Sequence, residues 1–185
     1  ELKKIIEADS AIILDTRNAQ VFTNGFIPGS ISIGLEGRFA EWAGSILPFD
    51  QDMILVTEAG KEKETIVRLA RVGFEKISGY LEGGFEAWKN AGKEINIVNR
   101  INAEQFEKHY NNERPLTIDV RKVSEFQSEH LVDAINIPLN VLNNHLAEFP
   151  KDKPFILHCA GGYRSMIAAS MLKQRGYDNF VDVIG

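Results

Sequence analysis

One stretch of the sequence combines residue types able to do covalent chemistry: F-I-L-H-C-A-G-G-Y-R-S, from Phe155 to Ser165. It holds Cys159, the only cysteine among 185 residues. An apolar strand-like run ends directly before the cysteine, and a segment with helical spacing, Met166 to Arg175, follows the loop. In open α/β sheets, sites form at the carboxyl ends of strands, where strand gives way to helix. Gly161 and Gly162 let the backbone curl tightly enough for successive N–H groups to face one centre. Those amides, with the positive end of the helix dipole, favour a thiolate and any anion bound to it. A lone cysteine is commonly a small buried hydrophobe, but core filling gives no reason for a glycine pair that turns amides toward it. The pattern makes Cys159 a nucleophile or an anion-binding group.

The neighbours carry less chemistry. His158 alternates away from the nucleophile on a strand, which suits a packed or hydrogen-bonded imidazole better than a general base. Tyr163 is a pocket wall or a surface contact. His109, His130 and His145 have no mutual spacing of a metal site. A single thiol excludes an internal disulfide and a zinc site built from several cysteines. Neither a metal nor another cofactor is expected, and packing must hold the fold together.

The elements that position the loop form a repeat. A-I-I-L-D-T-R-N-A-Q-V-F, Ala11 to Phe22, matches P-L-T-I-D-V-R-K-V-S-E-F, Pro115 to Phe126. The register pairs Asp15 with Asp119, Arg17 with Arg121 and Phe22 with Phe126, and continues without a gap from Ile27–Leu35 to Leu131–Leu139. Short runs such as Ile12–Leu14, Ile31–Ile33 and Ile54–Val56 read as buried strands. Glu64 to Val72 and Met166 to Arg175 read as helices, each ending at a glycine, Gly73 or Gly176. Strands alternating with helices predict an α/β fold of two units, each a small, mostly parallel sheet with helices on both faces. The seam falls near Ala91 to Arg100, giving domains 1–97 and 98–185, and Asn102 with Gln105 reads as a capping box opening the second unit.

Only the second unit has the thiol. Thr57 aligns with Cys159, and Glu58, Glu62 and Glu64 around it oppose an anionic substrate, so the first domain is expected to be catalytically silent. It would shape the cleft between domains or dock a partner. The repeated pairs Asp15/Arg17 and Asp119/Arg121 are expected to organise strand ends, and Trp42 and Trp88 to sit in the core or at a domain interface. The run Lys61 to Glu64 reads as a solvated helix start.

At these residues the chain resembles a tandem rhodanese (sulfurtransferase) protein. Both units carry D-x-R followed by F-x-x-x-x-[I/L]-x-x-[A/S]-x-x-I, and the loop is similar to the family's C-x-x-G-x-R-S form through Cys159, Gly162, Arg164 and Ser165. The resemblance covers nearly the whole chain. It implies that Cys159 takes a sulfane sulfur from thiosulfate or a persulfide donor, carries it as a persulfide and passes it to cyanide or another thiol. The loop 159–165 then binds the substrate through Ala160, Gly161, Gly162, Tyr163, Arg164 and Ser165, whose N–H groups would cradle the persulfide anion. Arg164 has two readings: a contact to the anionic end of the donor, or an ion pair with an acidic neighbour. Ala160 supplies no second cation.

Two rival readings stand beside this one. Cysteine-dependent phosphatases and arsenate reductases use an H-C-x5-R loop, but four residues separate Cys159 from Arg164 here, and the shorter ring suits one sulfur atom better than a tetrahedral phosphate. The other reading is a non-catalytic docking module of a larger protein. The chain begins without methionine and ends at Gly185, before a counterpart of the Trp88 helix, so a C-terminally truncated second domain and non-natural termini are expected. Those ends also resemble the rhodanese pair downstream of a metallo-β-lactamase-like domain in persulfide-handling fusion proteins, which implies an upstream fused domain. The 21 basic against 26 acidic residues, a net charge of −5, argue against nucleic acid and against a basic membrane anchor as partners. No apolar run approaches the roughly 20 residues of a membrane span. With no targeting segment, a cytoplasmic, reducing location is expected.

Overall fold

The computed structural model describes residues 11–184. Its contacts divide the chain into two compact units, with the break between Ile97 and Val98.

In the first unit the strands are β1 (Ala11–Asp15), β2 (Ile31–Ser32), β3 (Asp52–Val56) and β4 (Ile77–Tyr80). They form one parallel sheet in the order β2-β1-β3-β4. Successive residues Ile12, Ile13 and Leu14 are all buried. Side chains alternate across a strand, so both faces of the sheet are covered. The helices are α1 (Ala19–Thr23), α2 (Phe39–Ile46), α3 (Glu62–Ala70) and α4 (Gly84–Asn90). α4 lays Phe85 and Trp88 against Ile13, Ile27 and Val56, while the Trp88 indole N–H donates to the Glu94 carbonyl at 2.7 Å. Trp42, on α2, is buried as well.

The second unit repeats the plan. Its strands are β5 (Arg100–Ile101), β6 (Thr117–Asp119), β7 (Ile135–Asn136), β8 (Phe155–His158) and β9 (Phe180–Val183), and its helices α5 (Ala103–Glu113), α6 (Val123–Ser128) and α7 (Tyr163–Gln174). The sheet is again parallel, ordered β5-β9-β8-β6-β7. β8 is its central strand, so the residue that follows it emerges at the carboxyl end of the sheet. Two 3-10 turns, Leu139–Asn144 and Leu146–Glu148, lead into β8. The Asn102 side chain accepts from Gln105 N–H at 2.8 Å and the Gln105 side chain from Asn102 N–H at 3.0 Å, the reciprocal cap read from their spacing.

Element ends differ from the sequence expectation by a few residues, most at α7, α3 and β2. α7 begins at Tyr163 rather than Met166, and takes Tyr163, Arg164 and Ser165 into its first turn. These polar residues hide a helix from apolar spacing because the first turn faces the loop. α3 runs Glu62–Ala70, where the apolar pattern suggested Glu64 to Val72. β2 stops at Ser32, although Ile33 N–H still bonds the Asp15 carbonyl at 3.0 Å. Both glycine stops have left-handed backbones, Gly73 at φ 97° and Gly176 at φ 79°. The next residues, Phe74 and Tyr177, donate back to Leu69 and Leu172 and close the helices.

The two Asp/Arg pairs organise equivalent corners. Asp15 accepts from the Arg17 backbone N–H at 3.1 Å and from its guanidinium at 2.6 Å, and that guanidinium reaches the Gly25 carbonyl at 2.9 Å. Asp119 does the same with Arg121, at 2.8 Å to the backbone N–H and 2.7 Å to the guanidinium, which reaches the Glu129 carbonyl at 2.7 Å. Each pair staples a strand end to the chain eight residues beyond its arginine. Among the described residues, no helix is long and apolar enough to cross a membrane.

Candidate active site

Cys159 directly follows β8 and is only 8% exposed. Its Sγ accepts from the Ser165 backbone N–H at 3.4 Å and lies 3.5 Å from Ser165 Oγ. Ser165 is fully buried in the first turn of α7, so the sulfur rests on the amino end of a 12-residue helix. Unpaired N–H groups and the helix dipole both favour negative charge there. The turn between strand and helix depends on Gly162, whose φ of 76° lies in the left-handed region. Gly161 has no such requirement, and a side chain there would meet open space. Ala160 and Gly161 are exposed, Gly162 is buried, and Tyr163 and Arg164 are half-buried.

Arg164 is engaged within the protein. Its guanidinium makes a two-pronged ion pair with Glu125, at 2.5 and 2.8 Å. Glu125 lies on α6 and also caps Lys122 N–H at 3.2 Å. The Arg164 guanidinium holds the Glu125 carboxyl down to about 2, helped by the Lys122 N–H. Of the two readings of Arg164, the structure shows the pairing with an acidic neighbour. The Glu125 side chain was not singled out from sequence, because it lies 39 residues from its partner.

His158 is packed. Among the described residues its Nε2 has no hydrogen-bond partner; it stands 3.7 Å from the Asp119 carboxylate, and the ring stacks on Phe106 at a centroid distance of 6.5 Å. Burial lowers the His158 pKa against the opposing pull of the Asp119 charge. A second buried group also escaped the sequence. Asp182 on β9 accepts from Arg100 Nε at 2.8 Å through Oδ2, while Oδ1 has no hydrogen-bond partner among the described residues. Burial pushes the Asp182 carboxyl up to about 6 against the pull of the facing Ser165 hydroxyl and of Arg100.

The first unit has the same corner without the sulfur. Thr57 stands buried after β3, and Gly60 repeats the left-handed turn at φ 80°. A cavity of about 220 Å³ there is lined by Thr16, Glu36, Glu58, Lys61, Glu64 and Arg68. Lys61 pairs with Glu64 at 3.0 Å on the surface.

The sequence pattern of the family described as Rhodanese-like domain matches residues 1–91 and again 102–185. The chain belongs to the rhodanese-like domain family. Each half is one rhodanese domain, and only the second carries a cysteine in its loop. Among curated relatives, a protein named Sulfurtransferase from Allochromatium vinosum is 29% identical over 90 residues, covering 48% of this chain and 84% of that protein. "Adenylyltransferase and sulfurtransferase uba4" from Ogataea parapolymorpha is 31% identical over 123 residues, 64% of this chain but only 31% of the relative's length. Among solved structures, a rhodanese-related protein from Thermoplasma volcanium is 32% identical with a TM-score of 0.43, covering 48% of this rhodanese pair and 85% of that chain.

Proposed function

We propose that this tandem rhodanese is a sulfurtransferase whose second domain carries sulfane sulfur on Cys159. The observation that supports this reading most is the seat of the Cys159 sulfur against the Ser165 N–H, at the amino end of α7 and past the left-handed Gly162 turn. The relatives named as sulfurtransferases support the same reaction class. In the forward half-reaction the thiolate attacks the outer sulfur of thiosulfate. The Sγ–S bond forms, the S–S bond of the donor breaks, and sulfite leaves with the electron pair. Cyanide or a thiol then attacks the sulfane sulfur and returns Cys159 to its thiolate. A persulfide donor enters by the same attack and releases a thiolate instead of sulfite. A persulfide anion extends beyond the thiolate, toward the exposed Ala160 and Gly161 amides.

Arg164 contributes through its pairing with Glu125, which ties α6 to the loop, rather than as a free anion hook. The first domain, with Thr57 at the matching position, forms no persulfide. A buried single thiol of this kind suits a reducing compartment. The experiment is incubation of the protein with thiosulfate and cyanide, and separately with an aryl phosphate. Thiocyanate is the expected product. Phosphate release without thiocyanate would reverse the assignment in favour of a phosphatase.

A further inference from the structure

Asp182 has no task in the sulfur chemistry described so far, yet its position is costly. Its carboxylate is fully buried, one oxygen is satisfied by Arg100 at 2.8 Å, and Oδ1 has no hydrogen-bond partner among the described residues. An unpaired buried oxygen is expensive unless something uses it. The Ser165 hydroxyl interacts with the Asp182 carboxylate, and its oxygen is 3.5 Å from Cys159 Sγ. Asp182 is paired with Leu157 across the sheet, and Cys159 follows two residues later, just past the end of β8. Sulfur, hydroxyl and carboxylate are all buried, and the Ser165 hydroxyl between the other two makes them one row.

We propose that Ser165 and Asp182 form a proton relay for Cys159, with Asp182 acting through Ser165 as a positioning residue that receives the thiol proton. The proposal rests on the reading of Cys159 as the sulfur-carrying nucleophile. In the step, the Sγ–H bond breaks and its electron pair stays on sulfur. The proton goes to Ser165 Oγ, and the proton already on Oγ passes to the Asp182 carboxylate, forming the carboxylic acid. The buried row holds one negative charge before and after, so no charge is added to the interior. The Ser165 backbone N–H already faces the sulfur that receives that charge. The charged and titratable groups around the row are Arg100 on Asp182, and Arg164, held by Glu125, and His158 beside Cys159.

The silent domain lacks the row. Tyr80, paired with Leu55 as Asp182 is with Leu157, stands where the carboxylate would be and is 52% exposed. Lys63 occupies the position matching Ser165.

The test is the pH profile of Cys159 alkylation by iodoacetamide in the wild type, S165A, D182N and the double variant. With a relay, each single variant moves the midpoint up by about one pH unit, slowing alkylation near neutral pH about tenfold, and the double variant shifts it no further than either single. If D182N instead lowers the midpoint, Asp182 acts only as a repelling charge and the relay is wrong; additive single effects overturn it as well. Should D182N not fold, the carboxyl 13C resonance of Asp182 is the second readout. It must respond to alkylation of Cys159 in the wild type and not in S165A, and an equal response in both overturns the proposal. Failure of thiosulfate to load the wild type would count against the sulfurtransferase reading alone, because the alkylation profile needs no sulfur donor.

Discussion

Arg164 and Glu125 show how a charge in the active loop is held by the protein itself. Two hydrogen bonds of 2.5 and 2.8 Å fix the guanidinium, and the ionised form of Glu125 is favoured in the fold, its carboxyl held at about 2 against 4.5. A depressed carboxyl stabilises the fold above its unfolded value and loses that contribution as pH falls through its folded value. The stability difference between wild type and Glu125→Gln should therefore be full above about pH 4.5 and vanish toward pH 2. Because the Glu125 side chain is 35% exposed, its size should be only about 1 kcal/mol. Thermal melts of both proteins across that range check the sign and the window.

At the scale of elements, one backbone angle connects β8 to α7. Gly162 at φ 76° lets the chain turn from strand into helix so that Ser165 N–H faces the sulfur. An alanine there should cost about 1–2 kcal/mol and lower the rate of sulfur loading, whereas Gly161→Ala, with open space and no left-handed backbone, should fold as the wild type does. Chemical denaturation and loading assays on the two variants separate them. The loop glycines, the Asn102 cap and the strands were legible in the sequence because each is signalled within a few residues. The start of α7 was not, since Tyr163, Arg164 and Ser165 carry no apolar period. The partners in the pairs Arg164–Glu125 and Arg100–Asp182 were hidden for a different reason: 39 and 82 residues separate them, and only the tertiary fold brings them together, two helices in the first case and the pairing of β5 with β9 in the second.

Across the whole molecule the same parallel α/β plan occurs twice, with a four-stranded sheet in the first described unit and a five-stranded sheet in the second, and the corner that holds Cys159 differs chemically between the copies. Both retain the Asp/Arg corner and the left-handed glycine after the central strand. The cavity beside that corner in the first copy is lined by Glu36, Glu58 and Glu64 against Lys61 and Arg68, so a thiolate placed there would meet an excess of like charge. In a Thr57→Cys, Cys159→Ser protein the new thiol should ionise at higher pH than Cys159 and take up no sulfur from thiosulfate; the pH profile of its alkylation measures the first and intact mass the second. The proposed division of roles rests on the single cysteine, because one thiol in a repeated chain leaves a cysteine loop in one copy only. The central claim, that Cys159 carries sulfur, is met most directly by intact-mass spectrometry after exposure to thiosulfate. The account predicts one added sulfur atom, located at Cys159, lost on adding cyanide with release of thiocyanate, and absent in Cys159→Ser. An unchanged mass in the wild type, or an equal gain in Cys159→Ser, would contradict it.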